Sequence, residues 1–260
     1  MKIVTYNING IRASANKGIV SWFNNTNAEV YALQEIRADE QTTNQILYGN
    51  FIENVNAYNL IFNPSEKAGY SGTAILTKLP YKSATFGFPP SPDYAWQDNE
   101  GRLITVVFEA FTLVNCYVPN GATRQDYKME FYKRLTEYLQ FLSKSAEVVF
   151  CSDSNIAHTE NDVSDPAKAC TKTGFLPSER DAFANLLNKG FYDSYRTLTP
   201  SGKAYSWLSY KERNYGISSI KYRFDYIITT KAQNGKLISS CIDSTAPFSD
   251  HCPVINEYNE

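Results

Sequence analysis

The sequence is poor in histidine, with only two, His158 and His251, among 260 residues. Histidine is the side chain whose ordinary pKa lies nearest to neutral pH, so a chain that uses it sparingly draws attention to each one. His251 follows Asp250 directly, just before a final apolar run. An Asp-His pair at the start of a strand suits proton transfer or metal binding. Taken alone, the pair fits a structural, hydrogen-bonded histidine equally well.

Cysteine is also too sparse to build a framework. The five cysteines are an odd number and show no paired short spacing of the zinc-binding type. The sequence therefore predicts reduced, mostly buried thiols in a reducing compartment. Cys252 lies beside His251, but no separate base or oxyanion-stabilising turn supports a role as a thiol nucleophile.

The chain has no long apolar run and no early signal-like segment. No stretch approaches the roughly 20 apolar residues needed to cross a bilayer, and the amino terminus turns polar by Asn7. We expect a soluble, cytoplasmic protein without a membrane partner. A length of 260 residues favours one large domain over residues 1–260.

No charge of one sign dominates the composition. A formal net charge of −2 argues against a protein that coats nucleic acid through bulk electrostatics, which favours a basic surface. A nucleic-acid enzyme remains possible, because carboxylates around a metal lower the net charge while a local basic face holds the backbone. Arg12 and Lys211 are among the basic residues in loop-like positions that could form such a face.

Apolar alternation and β-branched runs define the strands that the sequence predicts. They lie at 2–8, 29–34, 59–63, 72–77, 103–118, 146–151, 204–209, 223–230 and 253–258. Helical spacing occurs at 17–26, 39–49, 125–143 and 178–190. The pattern predicts an α/β layered domain with mixed sheets. Long polar connections at 85–101, 152–177 and 211–222 are expected to carry binding and catalytic loops.

Polar residues cluster where several predicted strands begin or end. Asn7 lies in the first strand, Glu35 follows an apolar run, and Asp225 opens the strand before the last. Asp153 and Asn155 follow another apolar run and share one side of an extended chain, whose side chains alternate with a period of two.

These residue types suit metal-assisted hydrolysis. Mg²⁺ prefers a few oxygen ligands and keeps several waters, so Glu35 and Asp250 are the best ligand candidates. Asp225 could fix the tautomer of His251, as an acid does in a hydrolase triad. Asp153, with Asn155 beside it, could position and deprotonate a water molecule.

At this point ten segments resemble motifs of one family, in its order along nearly the whole chain. They are 6–13, 33–35, 69–75, 100–102, 117–121, 153–157, 174–180, 205–207, 223–226 and 249–253. The chain resembles the endonuclease/exonuclease/phosphatase superfamily, and within it the exonuclease III type of abasic-site repair nuclease. Lipid and inositol phosphatases of the superfamily share the acid, Asn and His clusters, but the segments 174–180 and 205–207 point to the DNA-repair branch.

The resemblance implies a four-layer α/β sandwich, with two mixed β-sheets packed face to face and helices on both outer sides. It implies Mg²⁺ or Mn²⁺ as the cofactor, bound by Asn7, Glu35 and Asp250. It also implies that Asp153 activates water, that Asn155 holds water or phosphate, and that Asp225 and His251 grip the scissile phosphate.

The resemblance further implies substrate contacts outside these groups. Tyr117 and Asn120 would touch phosphate. Apart from the resemblance, Asn9, Arg12 and Lys211 are further candidates for contacts to DNA. The positions that match the family's apolar pocket for a flipped abasic sugar are Trp207, Tyr222 and Phe224. Aromatic residues that flank a strand are as often part of a core, so both readings of Tyr222 and Phe224 stay open.

Two departures from the family pattern bear on activity. Ser152 replaces the glycine that usually precedes the catalytic Asp, and residues 215–222 form a longer connection beside the expected pocket. We expect a Mg²⁺-dependent monomeric nuclease that cuts double-stranded DNA 5′ to abasic sites and also acts on damaged 3′ ends. The alternatives are a phosphatase of a small or lipid phosphoester and, with less support, a non-catalytic binder of damaged DNA.

Overall fold

A computed structural model describes residues 1–49, 58–91, 97–209, 212 and 215–259. Its strands are β1 (Lys2–Asn7), β2 (Val30–Gln34), β3 (Asn59–Asn63), β4 (Thr73–Thr77), β5 (Tyr81–Phe86), β6 (Leu103–Phe108), β7 (Thr112–Tyr117), β8 (Val148–Asp153), β9 (Phe191–Asp193), β10 (Asp225–Thr230), β11 (Leu237–Ile242) and β12 (Val254–Tyr258). Its helices are α1 (Ile11–Asn16), α2 (Ile19–Thr26), α3 (Glu40–Gly49), α4 (Gln125–Leu142), α5 (Pro166–Ala169), α6 (Pro177–Asn188), α7 (Ser194–Leu198) and α8 (Lys231–Gly235). Within these described ranges, no helix is long and apolar enough to span a bilayer.

The strands form two six-stranded sheets with the same pattern of directions. The first sheet has the order β11-β12-β1-β2-β4-β3, and the second has the order β5-β6-β7-β8-β10-β9. The central pairs β1/β2 and β7/β8 are parallel, whereas the other neighbours in each sheet are antiparallel. Both sheets are therefore mixed, as the sequence predicts.

The two-residue period of each central strand divides its side chains between two cores. In β1, Ile3 packs between the sheets, whereas Val4 and Tyr6 face α1 and α2 on the outer side of the first sheet. The second sheet likewise packs its outer face against α4 and α6. Strands buried on both faces read as continuous apolar runs, which is why the sequence shows them clearly. The four-layer α/β sandwich is confirmed.

The predicted elements differ from the structure at the edges of the sheets and in the short helices α1, α5, α7 and α8, which were not predicted. The run 103–118 is two strands, β6 and β7, separated by a turn at 109–111. The strand predicted at 204–209 is wrong, because Trp207 makes only isolated bridges to Tyr222 and His251. Strands β5, β9 and β11 were not predicted.

The strand directions gather the polar clusters at one end of the sandwich. The carboxyl ends of β1, β2, β7 and β8 open at the same end as the starts of β4, β10 and β12. Just beneath this end, Gln34 and Asn115 join the sheets, with 2.7 Å from Gln34 Nε2 to Asn115 Oδ1. Asn115 also donates to the carbonyls of Leu33 and Ala74, so both sheets share one buried polar bridge.

Candidate active site

Asp153 lies at the centre of the polar end of the second sheet. It ends β8, and the register places Tyr117 of β7 on one side and Asp225 of β10 on the other. Its side chain is 1% exposed, and its Oδ1 accepts from the backbone N–H of Asn155 at 2.9 Å. The carboxylate is thus fixed by strand pairing and by its own turn.

Asn7 links the acids of the two sheets. Its Nδ2 donates to Glu35 Oε1 and to Asp153 Oδ2, each at 2.8 Å. Its Oδ1 accepts from the backbone N–H of Asn9 at 3.0 Å. In this arrangement the amide nitrogen, which cannot bind a cation, faces the acids, so Asn7 orients them, and a ligand role would need the amide turned over.

His251 is held by a chain of hydrogen bonds behind it. Its Nδ1 lies 2.8 Å from Asp225 Oδ2, which also accepts from the Ser206 hydroxyl at 2.7 Å. Ser206 Oγ in turn accepts from the backbone N–H groups of Phe224 and Asp225. The carboxylate fixes the ring orientation and directs Nε2 toward Asp153, whose Oδ2 is 3.7 Å away.

Burial and charge shift the pKa values of this pair. Burial alone would lower the pKa of His251, but Asp225 and Asp153 outweigh it and raise that pKa to about 10. Burial raises the pKa of Asp153 well above its usual value, and the charge of His251 opposes the rise. At neutral pH the site therefore holds a charged imidazole beside a carboxylate that can take up a proton.

Tyr117 closes the site from the opposite side. Burial and the negative charges of Glu35 and Asp153 raise the pKa of its phenol well above the usual value, so the hydroxyl stays protonated and can donate. The guanidinium of Arg102 lies 4.6 Å from the ring centroid, and Arg102 Nη1 donates to the Tyr117 carbonyl at 3.0 Å. This buried arginine fixes the tyrosine in place.

The backbone at the two acid-bearing strand ends is bent into an uncommon conformation. Glu35 has φ 54° and Asn155 has φ 48°, both in the left-handed region that non-glycine residues seldom adopt. The turn at Glu35 is held by Gly10 N–H donating to the Glu35 carbonyl at 2.7 Å. Such conformations persist where the surroundings determine them, and here they aim side chains into the cleft.

Asp250 lies on the other side of His251 and is also firmly held. Its Oδ1 accepts from Asn9 Nδ2 at 2.8 Å, and its Oδ2 accepts from the indole N–H of Trp207 at 3.1 Å. Burial would raise the pKa of Asp250, but the His251 charge and these two donors bring it below the usual value. Asp250 is therefore a stable anion.

The donor set fits a small divalent cation. Ligand atoms of Glu35, Asp153 and His251 all lie within 4.8 Å of one another. Two of these are carboxylate oxygens at the wall of an open cleft, which is the donor type that Mg²⁺ and Mn²⁺ prefer. His251, which is charged at neutral pH, has no free lone pair to offer a cation, so the two carboxylates carry the fit. The compact group differs from the predicted set of Asn7, Glu35 and Asp250, and only Glu35 belongs to both.

These residues open into a cleft of about 420 Å³. It is lined by Asn9, Glu35, Arg37, Tyr117, Asn120, Ala122, Asp153, Asn155, Lys172, Thr173, Gly174, Trp207, Tyr222, Phe224, Asp250 and His251. One wall is aromatic. The rings of Tyr222 and Phe224 stack with centroids 4.8 Å apart, and Trp207 lies 5.8 Å and 5.9 Å from them.

A buried ion pair supports the wall below Asn155. Lys128 Nζ lies 2.6 Å from Glu179 Oε1, with both side chains fully buried. Lys128 also donates to the Asn155 carbonyl at 2.8 Å, and Glu179 Oε2 accepts from the Gly174 N–H at 2.7 Å. Gly174 has φ 93°, and a Cβ there would lie 2.7 Å from the Phe224 ring, so glycine is required where the wall meets the aromatic group.

A comparison with protein-family models agrees with this site, in which acids and a histidine line a cleft at one end of the sandwich. The model described as the Endonuclease/Exonuclease/phosphatase family matches residues 4–251. The chain belongs to this family.

Individual relatives within the family are similar over nearly the full chain. An exodeoxyribonuclease of Bacillus subtilis is 32% identical over 263 residues, covering 98% of each chain. The DNA repair nuclease APEX1 of Danio rerio is 34% identical over 258 residues, covering 98% of this chain and 81% of the relative. Among solved structures, a 3′-5′ exonuclease (NExo) from Neisseria meningitidis has a TM-score of 0.87 at 26% identity and full coverage of both chains.

Most residues that the sequence nominates for this family site are brought together. Arg12 lies outside the main cleft, in a neighbouring groove that shares Arg37 with it. Tyr222 and Phe224 are 6% and 8% exposed, so they belong both to a small core cluster and to the cleft wall. Lys211 lies outside the described residues.

The sequence does not nominate two side chains that contact the site, those of Arg37 and Ser206. Arg37 contacts Glu35 through Nη2 and lines the cleft, and Ser206 anchors Asp225. The only local signal for Arg37 is a basic residue two positions after the acid. Ser206 falls within the segment 205–207, but its partner, Asp225, lies 19 residues further along the chain.

Proposed function

We propose that this protein is a Mg²⁺-dependent DNA repair nuclease. It hydrolyses the phosphodiester 5′ to abasic sites and also removes nucleotides or blocking groups from 3′ ends. The names of its relatives, exodeoxyribonuclease and DNA repair nuclease, support a DNA substrate.

One observation carries this proposal. A buried carboxylate, Asp153, faces a charged imidazole held by Asp225, and both open into a cleft beside the acid Glu35. Hydrolysis of a phosphodiester needs a base for the water and positive or donor groups around the phosphate oxygens, where charge builds up.

Each side chain then has a defined task. Asp153 takes the proton from the attacking water, since its raised pKa makes it a better base than an ordinary aspartate. The imidazolium of His251 and the neutral phenol of Tyr117 donate to phosphate oxygens. Asn155 and Asn120 hold the phosphate or the water from the cleft wall.

The metal would be held by Glu35, with Asp250 and Asn7 as the further residues nominated by the family resemblance. When bound, a divalent cation supplies Lewis-acid stabilisation of the phosphate charge. Glu35 is oriented for this by Asn7, and Arg37 also contacts its Oε2 atom.

Substrate choice follows from the shape of the aromatic wall. Trp207, Tyr222 and Phe224 form an apolar surface beside the catalytic group, suited to a deoxyribose without a base. A normal nucleotide would need a larger space and would have to leave its stack at a greater cost.

The proposal includes a monomer acting in the cytoplasm. All five cysteines are free, which suits a reducing compartment. Light scattering on the pure protein would test the monomer, and a stable dimer would contradict it.

The test is cleavage of a labelled duplex that carries one abasic-site analogue. The reaction is run with Mg²⁺ and with EDTA, and the products are resolved by length. An Asp153→Asn preparation serves as the control for contaminating nucleases. We expect one metal-dependent cut immediately 5′ to the analogue, absent with Asp153→Asn.

Other products would redirect or refute the proposal. A ladder of shortened 3′ ends without the internal cut would make 3′ exonuclease work the main activity. Intact abasic duplex, recessed ends and 3′-phosphates, together with hydrolysis of inositol phosphates, would replace the nuclease with a small-phosphoester phosphatase.

A further inference from the structure

Arg37 contacts the acid that is the best candidate for a metal ligand. Its Nη2 atom contacts Glu35 Oε2, and Glu35 Oε1 accepts from Asn7 Nδ2 at 2.8 Å. Each oxygen of the Glu35 carboxylate therefore already faces a protein N–H group. A cation that binds either oxygen must approach a donor that carries positive charge density, and the full charge of Arg37 also repels it.

The two donors to Glu35 differ in how firmly they are held. Asn7 is 0% exposed, donates also to Asp153 Oδ2 at 2.8 Å, and accepts from the Asn9 N–H at 3.0 Å. The Arg37 side chain is 42% exposed, and within the described ranges its one ion pair is the pair with Glu35. Moving Asn7 breaks three hydrogen bonds, whereas moving Arg37 breaks one contact and returns its guanidinium to water. The arginine is therefore the donor that a cation displaces at the lower cost.

A groove beside the cleft offers the displaced guanidinium a place. This side groove has a volume of about 240 Å³ and shares Arg37 with the cleft. Its walls include two acids, Asp39 and Glu66. The backbone N–H of Arg37 donates to the Ser71 carbonyl at 2.9 Å, so the main chain is held while the side chain turns. The guanidinium can leave Glu35 for the side groove without any rearrangement of the fold.

We infer that Arg37 and the divalent cation compete for Glu35. The guanidinium holds the carboxylate in the absence of metal and turns toward the side groove when a cation binds. The inference rests on the proposed function, which supplies the metal at Glu35. The protein then gives up an ion pair each time it takes up a cation, so its metal affinity is lower than the carboxylates of Glu35 and Asp153 alone would provide. Arg37 thereby sets the cation concentration at which the site is loaded.

The test measures Mn²⁺ binding to the whole protein without DNA, so that catalysis plays no part. Free Mn²⁺ is counted by its electron paramagnetic resonance signal, which weakens strongly when the ion binds protein. Arg37→Met removes the guanidinium and keeps an apolar stem. Arg12→Met is the matched control, because Arg12 also lines the side groove and is 59% exposed but contacts Thr42 and Asp39. Glu35→Gln removes the carboxylate for which arginine and metal compete.

We expect Arg37→Met to bind Mn²⁺ about tenfold to a hundredfold more tightly than the wild type, the range for giving up one hydrogen bond to a charged group. Arg12→Met should change the affinity far less, because its charge is screened by solvent and does not touch Glu35. In the Glu35→Gln background the gain from Arg37→Met should vanish, because the two changes then act on one interaction.

A second measurement follows the arginine itself. Mg²⁺ is titrated into the wild-type protein labelled with ¹⁵N, and the Nε–H signal of Arg37 is assigned by its absence from the spectrum of Arg37→Met. We expect this signal to shift as Mg²⁺ binds, with the half-saturation point of the metal itself. A residue that only stabilised the fold would show no such shift, and circular dichroism checks that each variant is folded.

Four results would overturn the inference. The first is Mn²⁺ binding by Arg37→Met that is unchanged, weaker than in the wild type, or undetectable in both proteins. The second is an equal gain from Arg12→Met, which would mean a general effect of charge. The third is a gain that persists with Glu35→Gln, and the fourth is an Arg37 signal that does not respond to Mg²⁺. The proposed function fails separately, if the wild-type protein cuts abasic duplex in EDTA or leaves it intact with Mg²⁺.

Discussion

Replacing Glu179 with glutamine is the sharpest test of how the cleft wall is held. The Glu179 carboxylate pairs with Lys128 inside the protein and also accepts from the N–H groups of Gly174 and Leu176. A glutamine of the same size removes the charge. In either orientation the NH₂ group of the glutamine would face a group that now donates to the carboxylate, either Lys128 Nζ or the two backbone N–H groups.

The expected loss of stability is large because Lys128 becomes a buried cation without a counter-ion. Removing one partner of a buried ion pair costs about 3–5 kcal/mol. At about 2 °C per kcal/mol for a chain of this size, the melting temperature should fall by about 6–10 °C. Nuclease activity should fall as well, because Lys128 also holds the Asn155 carbonyl.

The pH dependence of the loss follows from the same lysine. Burial lowers the pKa of Lys128 from 10.5, and Glu179 opposes this. Without Glu179 the pKa falls further, so between the lowered value and 10.5 the unfolded chain binds more protons than the folded one. Stability then rises with pH in this window, and the loss caused by Glu179→Gln should shrink as the pH approaches 10.5.

Urea unfolding followed by circular dichroism measures the free energies of unfolding. A double-mutant cycle with Lys128→Met isolates the pair, since methionine keeps most of the apolar stem without the charge. We expect the double variant to lose less free energy of unfolding than the two single variants lose in sum. The reasoning is refuted if Glu179→Gln costs less than about 1 kcal/mol, or if the two losses add within about 0.5 kcal/mol.

Three further predictions concern the catalytic group. Asp153→Asn and His251→Ala should each lower turnover by several powers of ten while DNA affinity in EDTA is largely kept, and affinity falling in step with turnover would make them binding residues. Glu35→Ala should raise the Mg²⁺ concentration needed for half-maximal cleavage, and an unchanged Mg²⁺ titration would remove Glu35 as a ligand. Above pH 6.5 the free energy of unfolding should fall less steeply with pH in Asp225→Asn than in the wild type. The raised pKa of His251 stabilises the wild-type fold fully below pH 6.5, and this stabilisation is lost as the pH rises to about 10. Urea unfolding in EDTA from pH 6 to 10 would check this, and parallel curves for the two proteins would contradict it.

The sequence predicts the central strands well and the edge strands poorly. β1, β2, β7 and β8 are covered on both faces, so their residues form apolar runs that stand out. β5, β9 and β11 are three of the four edge strands, and the fourth, β3, is predicted at its observed bounds. Five of the six residues of β5 are exposed and one is half-buried, and such a strand carries little apolar pattern.

The difference between an apolar pattern along the sequence and a contact made only in the folded chain also explains which site residues the sequence predicts. Glu35 and Asp153 follow clear apolar strands, so their places at a sheet end follow from the pattern. Ser206 and Arg37 act through partners that only the folded chain brings into reach. The prediction of a strand at 204–209 failed because Trp207 lines the cleft wall and makes only isolated bridges, not a sheet ladder.

The position of β12 makes the order of synthesis matter. This last strand lies between β11 and β1, inside the first sheet, whereas the second sheet uses only strands from the contiguous stretch 81–230. A growing chain can therefore complete its second sheet while β1 is paired with β2 alone and still lacks its other neighbour, β12. The growing chain also contains Glu35, Asp153 and Asp225 before the ribosome adds His251. The complete catalytic group thus exists only in a chain that has been extended past His251, and a shorter one lacks the imidazole.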